Sequence, residues 1–142
     1  MDLSIKIQDT TLYIRVAGII KTPNGFLLEK KKDINYFNVI GGKITLNETS
    51  VDAIKREILE EIGIKIEEPI FCSIIENFFT EGENKVHEIC FVYLINTIFT
   101  DSIPNGFIEI SMNDIDNYNI LPKVIVDILK NIDSAPKNLI VR

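Results

Sequence analysis

The chain has 142 residues, 46% of them hydrophobic, and carries 21 acidic against 15 basic side chains for a net charge of −6. This length suits a single domain over residues 1–142, able to bury roughly 68–70% of its unfolded surface, and the apolar content argues against disorder. The acidic balance excludes a broad basic footprint for a long nucleic acid, though not a nucleotide, and Cys72 and Cys90 sit in apolar stretches that point to neither a disulfide framework nor a zinc site.

The N-terminal stretch MDLSIKIQDT lacks the basic-then-apolar pattern of a secretory signal. No apolar run approaches the roughly 18 residues of a membrane span, so the expectation is a cytoplasmic protein with no membrane partner. Residues 12–20, LYIRVAGII, are rich in β-branched side chains and predict a strand. Pro23-Asn24-Gly25 is a turn, and Phe26 to Glu29 begins the returning strand of a hairpin. Arg15, inside the first strand, is either an exposed strand side chain or a phosphate or base contact, since guanidinium geometry matches phosphate. Lys30 to Asp33 reads as a solvated charged loop. Tyr36 to Ile40 leads straight into Gly41-Gly42, where Tyr36 or Phe37 either stacks on a base or packs into the core. Gly41-Gly42 itself reads as a turn where backbone can approach a ligand, offering a carbonyl oxygen as a metal ligand.

A helix follows, N-capped by Thr49 with Asp52 as an imperfect capping box, and stopped by Gly63 at the left-handed position. Beyond Glu67-Glu68-Pro69, residues 70–79 and 86–97 predict two strands joined by a hairpin loop from Thr80 to Asn84. His87 is the only histidine, which leaves little material for a histidine triad or metal cluster. Residues 106–111 suggest a last strand, with Ser111 or Asn113 capping a short turn through Asp114 and Ile115. Pro122 suits the start of a final helix with Val124, Ile125, Ile128 and Leu129 inward. In the tail, Leu139 to Val141 is a candidate edge strand. Strands flanking a central helix, with a second helix near the end, imply an α/β sandwich around a mixed sheet.

The central helix carries the chemistry. At about 100° per residue, Glu57, Glu60 and Glu61 fall within an arc of roughly 100°. Val51, Ile54, Ile58 and Ile62 form an adjoining apolar stripe. Three carboxylates so close repel unless a cation sits among them, and Arg56, reaching Glu60 at i,i+4, is one charge against three. A hard divalent ion would neutralise them, and oxygen-only ligands point to Mg2+ or Mn2+.

Gly42, five residues, Glu48, seven residues, then Arg56-Glu57-Ile58-x-Glu60-Glu61-x-Gly63-Ile64 fixes nine positions over 23 residues. This run resembles the complete signature of the Nudix hydrolases. The resemblance implies an α/β/α sandwich around a mixed sheet and metal-dependent cleavage of a phosphoanhydride in a nucleoside diphosphate linked to another group. Carried over by position, Glu57, Glu60 and Glu61 bind the metal with the Gly41 carbonyl, while Glu48 and Arg56 brace the loop–helix–loop. Glu60 is the first candidate for the base, with a downstream glutamate (Glu81, Glu83 or Glu88) as the other option. Arg15, Phe37 and Lys43 are the substrate-binding candidates. Relatives commonly carry a tryptophan near Phe37 and a proline at Ile40, and this chain has neither. Relatives acting on ADP-ribose often have a proline where Thr80 stands, and those acting on diadenosine polyphosphates a tyrosine. The leading expectation is therefore a nucleoside triphosphate with an ordinary or a modified base; ADP-ribose or a sugar nucleotide is the alternative. A capped RNA end also stays open. The rival of another class is a non-catalytic nucleotide-sensing module on the same fold. The expected assembly is a monomer or homodimer.

Overall fold

The computed structural model of the protein describes residues 1–30, 35–132 and 137–142. Its strands are β1 (Ser4–Ile7), β2 (Thr10–Thr22), β3 (Gly25–Lys30), β4 (Phe37–Asn38), β5 (Ile40–Lys43), β6 (Ile70–Glu81), β7 (Asn84–Ile95), β8 (Phe107–Ile110) and β9 (Lys137–Val141). Two α-helices, α1 (Ser50–Ile62) and α2 (Val124–Lys130), complete it, with a 3-10 turn over Ile115–Asn117.

The long β-branched run of β2 makes it the strand on which the sheet is assembled. One edge of β2 pairs in succession with β1 at Thr10 to Tyr13, β5 at Arg15 to Gly18 and β3 at Ile20 to Thr22. The other edge pairs in parallel with β7 from Thr10 to Ile20. The main path runs β4-β3-β2-β7-β6-β9, with β8 on β3. The β2–β7 and β6–β9 pairs are parallel and the rest antiparallel, so the sheet is mixed, as expected. Alternation along β2 and β7 sends side chains to two cores. Val16, Ile20 and Tyr93 pack with Ile54 and Ile58 of α1. Ala17, Ile19, Cys90 and Val92 pack with Ile125 and Leu129 of α2 on the other face. Full burial of an isoleucine such as Ile54 or Ile58 contributes on the order of 2–5 kcal/mol against truncation to alanine.

Several expectations are corrected. Gly41-Gly42 is not a turn: both residues lie in β5, opposite Ala17 and Val16. The glycines are there for close approach, because a Cβ at Gly41 would collide with the Val16 carbonyl and one at Gly42 with the Glu57 carboxylate. The turn comes later, at Thr45 to Glu48, where Asn47 takes a φ of 68°. Val51 sits on the exposed first turn of α1, and the buried stripe is Ala53, Ile54 and Ile58. The β6–β7 connection is tighter than expected, with Glu81 opposite Asn84 and Gly82 at a φ of 62°. β1 was not foreseen; its four residues are all exposed, so no alternation of burial marks it in the sequence.

Other expectations stand. Thr49 caps α1 by accepting from the Asp52 amide at 3.1 Å, and Gly63 takes φ 73° and donates to the Leu59 carbonyl. Asp52 completes only half of a capping box: its carboxylate accepts from the Thr49 hydroxyl at 2.8 Å. Ser111 Oγ reaches Asp114 at 3.0 Å before the 3-10 turn, and Ile125, Ile128 and Leu129 are the buried face of α2. Leu139 to Val141 does pair at the sheet edge, along β6. Positions 31–33 of the charged run and 133–136 lie outside the described residues. Among the described residues, no helix is long and apolar enough to cross a membrane.

Candidate active site

The loop between β5 and α1 is built around one guanidinium. Arg56 lies nearly two turns into α1 and points back to the loop. Its Nε donates to Glu48 Oε1 at 2.7 Å and its Nη2 to Glu48 Oε2 at 2.9 Å, a forked pair. Nη2 also reaches the Lys43 carbonyl at 3.2 Å. Glu48 Oε2 in turn accepts from the Thr45 amide at 2.9 Å and hydroxyl at 3.0 Å. The hydrogen bonds from Arg56, helped by those from Thr45, outweigh burial and hold the Glu48 carboxyl at about 2. The same pairing raises Arg56 above its ordinary value. So strand end, loop and helix are tied together by one residue on each.

The remaining nitrogen of Arg56 faces the acids. Nη1 donates to Glu57 Oε1 at 2.7 Å and lies 3.5 Å from Glu60 Oε2. Glu57 and Glu60 therefore converge on one cationic nitrogen. Glu57 is largely buried beside Gly42, in space a Cβ there would fill. Glu60 is well exposed, its side chain 59% accessible, and Glu61 is half-buried. With the side chains as they stand, no three acidic, histidine or cysteine side chains among the described residues are grouped to hold a metal ion. Arg56 sits where two of the carboxylates meet. The donor set still fits a hard cation: it is all oxygen, two carboxylates already close on a positive charge, and the neighbouring backbone at Gly42 leaves them room.

A cleft opens on the α2 side of the sheet. It measures about 560 Å³, and Arg15, Tyr36, Asn38, Asn77, Glu88 and Lys123 line it together with Phe78, Phe79 and Arg142. A narrower extension, also bordered by Arg15, Asn38 and Glu88, reaches Gly41 of β5. Thus the strand whose Gly42 abuts Glu57 also ends the cleft. Three of its lining residues, Glu88, Asn77 and Val141, form a row across β7, β6 and β9, fixed by register. Arg15 lies 3.5 Å from Glu88, and the Lys43 ammonium sits 4.4 Å over the Tyr13 ring.

The expected site residues thus divide. Glu48, Arg56, Glu57 and Glu60 are brought together, and Lys43 contributes its carbonyl to that network. Arg15 lines the cleft. Phe37 does not: it packs edge-on against Tyr118 at 5.3 Å, while its neighbours Tyr36 and Asn38, on the other side of the strand, line the cleft. Glu88 shares a face with Cys90 and Val92 and so lies across the sheet from α1. Glu81 and Glu83 flank the β6–β7 turn, where Asn84 bonds Thr11 at 3.1 Å. Thr11 and Val16, the residue opposite Gly42, are separated by roughly 16 Å along β2 at about 3.3 Å per residue. None of the three is therefore beside the acidic side of α1. His87 stacks on Phe78 at 4.3 Å with its Nε2 buried and without a hydrogen-bond partner. Cys90 is inert, its thiol pushed up to about 12 first by burial and then by Glu88. The sequence reading missed Asn38, Asn77 and Lys123; the alternation of 36, 37 and 38 along a strand was the one signal for Asn38.

A family model described as NUDIX domain matches residues 12–122. No curated protein matches. Among solved structures, the chain is similar to a MutT protein from Methanosarcina mazei Go1, with a TM-score of 0.67 and 22% identity over 90% of this chain and 96% of that one. It is similar to a mutator MutT protein from Bacillus halodurans at a TM-score of 0.69 and 18% identity, covering 90% and 86%. A UDP-X diphosphatase shares the fold at a TM-score of 0.61 and 12% identity, covering 89% and 66%.

Proposed function

Because the chain belongs to the Nudix family, we propose that it is a metal-dependent pyrophosphohydrolase of nucleoside diphosphates linked to a further group, with a nucleoside triphosphate as the leading substrate. The observation that carries this reading is the convergence of Glu57 and Glu60 on one cationic nitrogen beside Gly42. Glu57, Glu60 and Glu61 would hold Mg2+ or Mn2+, with the Gly41 carbonyl as a further oxygen. When bound there, such an ion supplies positive charge against the phosphate oxygens and polarises the phosphoryl group.

The residues of the chain divide the remaining work. Arg56 and Glu48 fix the loop against α1, so the glutamates keep their spacing without help from the substrate. The exposed Glu60 would take a proton from the attacking water at a carboxylate oxygen. The cleft takes the nucleoside, with Tyr36 as a stacking surface and the amides of Asn38 and Asn77 at the base edge. Arg15, in the cleft lining, and Lys43, its register partner on β5, suit the phosphates. A reducing, cytoplasmic setting suits the two free thiols.

The test is product identification. The protein is incubated with Mg2+ and a panel of nucleoside triphosphates, UDP-sugars and ADP-ribose. Release of a nucleoside monophosphate, stopped by EDTA, is the expected result. Turnover confined to a UDP-sugar or ADP-ribose would move the substrate class, and attack on phosphomonoesters alone would overturn the proposal.

A further inference from the structure

Glu88 is a carboxylate buried where the fold has no need of one. It is 8% exposed, and its neighbours on the same face of β7, Val86, Cys90 and Val92, are apolar and buried. Removing a carboxylate from water is costly unless it is well paired. Its ion pair with Arg15, at 3.5 Å, is longer than the roughly 2.7–3.2 Å of a formed N–H···O bond, and Arg15 is itself one-third exposed. A carboxylate offers about four lone-pair directions, so one loose cation leaves acceptor capacity facing the cleft. A second observation points the same way. Asn38 Oδ1 is buried without a hydrogen-bond partner, and Asn38 borders both the cleft and its extension, as Glu88 does. A buried carboxylate and an amide oxygen without a partner thus border the same cleft.

Resting on the reading that this cleft takes the nucleoside, we infer that Glu88, with Asn38, selects nucleobases that carry an exocyclic amino group. An amino group presents two N–H donors on one nitrogen, which two acceptors can share. A carboxylate accepting from such an amino group is an established way of reading a base. A keto base presents a carbonyl oxygen at the same position, which faces the carboxylate oxygens acceptor to acceptor. A site built to receive a donor rejects the analogue that lacks it, because its buried acceptors are left unpaired. Glu88 is a specificity residue in this assignment; it acts on the base and not on the reacting phosphate.

The test uses pairs that differ at this group. Binding of CMP against UMP, and of AMP against IMP, is measured by calorimetry in EDTA, so the result does not depend on hydrolysis. At least one pair should show the amino member binding ten-fold or more tightly. Glu88→Gln can turn its own amide N–H toward a carbonyl, so it should bring that ratio to within about three-fold, chiefly by tightening the keto member. The wild-type ratios stand alone if the variant unfolds. Equal binding within both pairs, no binding of any of the four, or a folded Glu88→Gln that keeps the wild-type ratio would overturn the assignment. A protein that discriminates these monophosphates but hydrolyses no triphosphate would retain this inference and lose the proposed reaction.

Discussion

Arg56 uses every edge of its guanidinium, and the consequence is a measurable pH dependence. The Glu48 carboxyl sits at about 2 in the folded chain against an ordinary 4.5. A depressed folded value means that the pair's contribution is complete above about 4.5 and is lost as pH falls toward 2. The shift corresponds to about 3 kcal/mol at most. Glu48→Gln should therefore lose about 2–3 kcal/mol in urea unfolding at pH 7, and the gap to wild type should close as pH approaches 2. A gap that stays constant with pH would show that the carboxylate's charge is not its source. At Gly42 the effect should fall on activity. The atoms nearest the Cβ of Gly42→Ala are the movable end of Glu57, so the fold can absorb it while the carboxylate is displaced. The expected result is a kcat at least ten-fold lower with a melting temperature within a few degrees of wild type. A variant of unchanged kcat would separate Glu57's position from catalysis.

At the scale of elements, α1 is held by its ends as much as by its buried face. Gly63→Ala places a Cβ at φ 73° and should cost about 1 kcal/mol, as should Thr49→Ala through the lost cap. Thermal melts of the two variants check this, and no loss at either end would leave α1 stabilised by packing alone. This helix was legible in the sequence because its caps and its three-glutamate face are local: they depend on residues within a few positions of each other. β5 was not. The glycines at 41 and 42 answer to Val16 and Glu57, which are distant in sequence, so their spacing alone could not separate a turn from a strand under close approach. Phe37 was misplaced for a related reason. Strand alternation gives two faces but does not say which one meets the cleft, and Asn38 fell on that face instead. β1 left no signal at all, since pairing through backbone alone leaves no buried side chains to read.

The whole molecule places two different sites against one short strand. α1 brings the acids to Gly42, and the α2 face of the sheet carries the cleft that reaches Gly41. A substrate with a nucleoside at one end and a phosphate chain at the other can span that strand, and this is the central claim. The acids should matter more for turnover than for folding: neutralising the exposed Glu60 relieves repulsion, while Glu57→Gln keeps its shape and gives up only its ion pair with Arg56. The most direct measurement compares hydrolysis of one good triphosphate with Mg2+ by wild type and by the Glu57→Gln, Glu60→Gln, Glu61→Gln triple variant. Wild type should turn the triphosphate over, and excess EDTA should abolish that turnover. The triple variant should stay folded, still bind the nucleoside monophosphate product, and have a kcat lower by about a thousand-fold or more. A folded triple variant within ten-fold of wild-type kcat, or full wild-type activity in excess EDTA, would contradict a metal-bearing role for these glutamates.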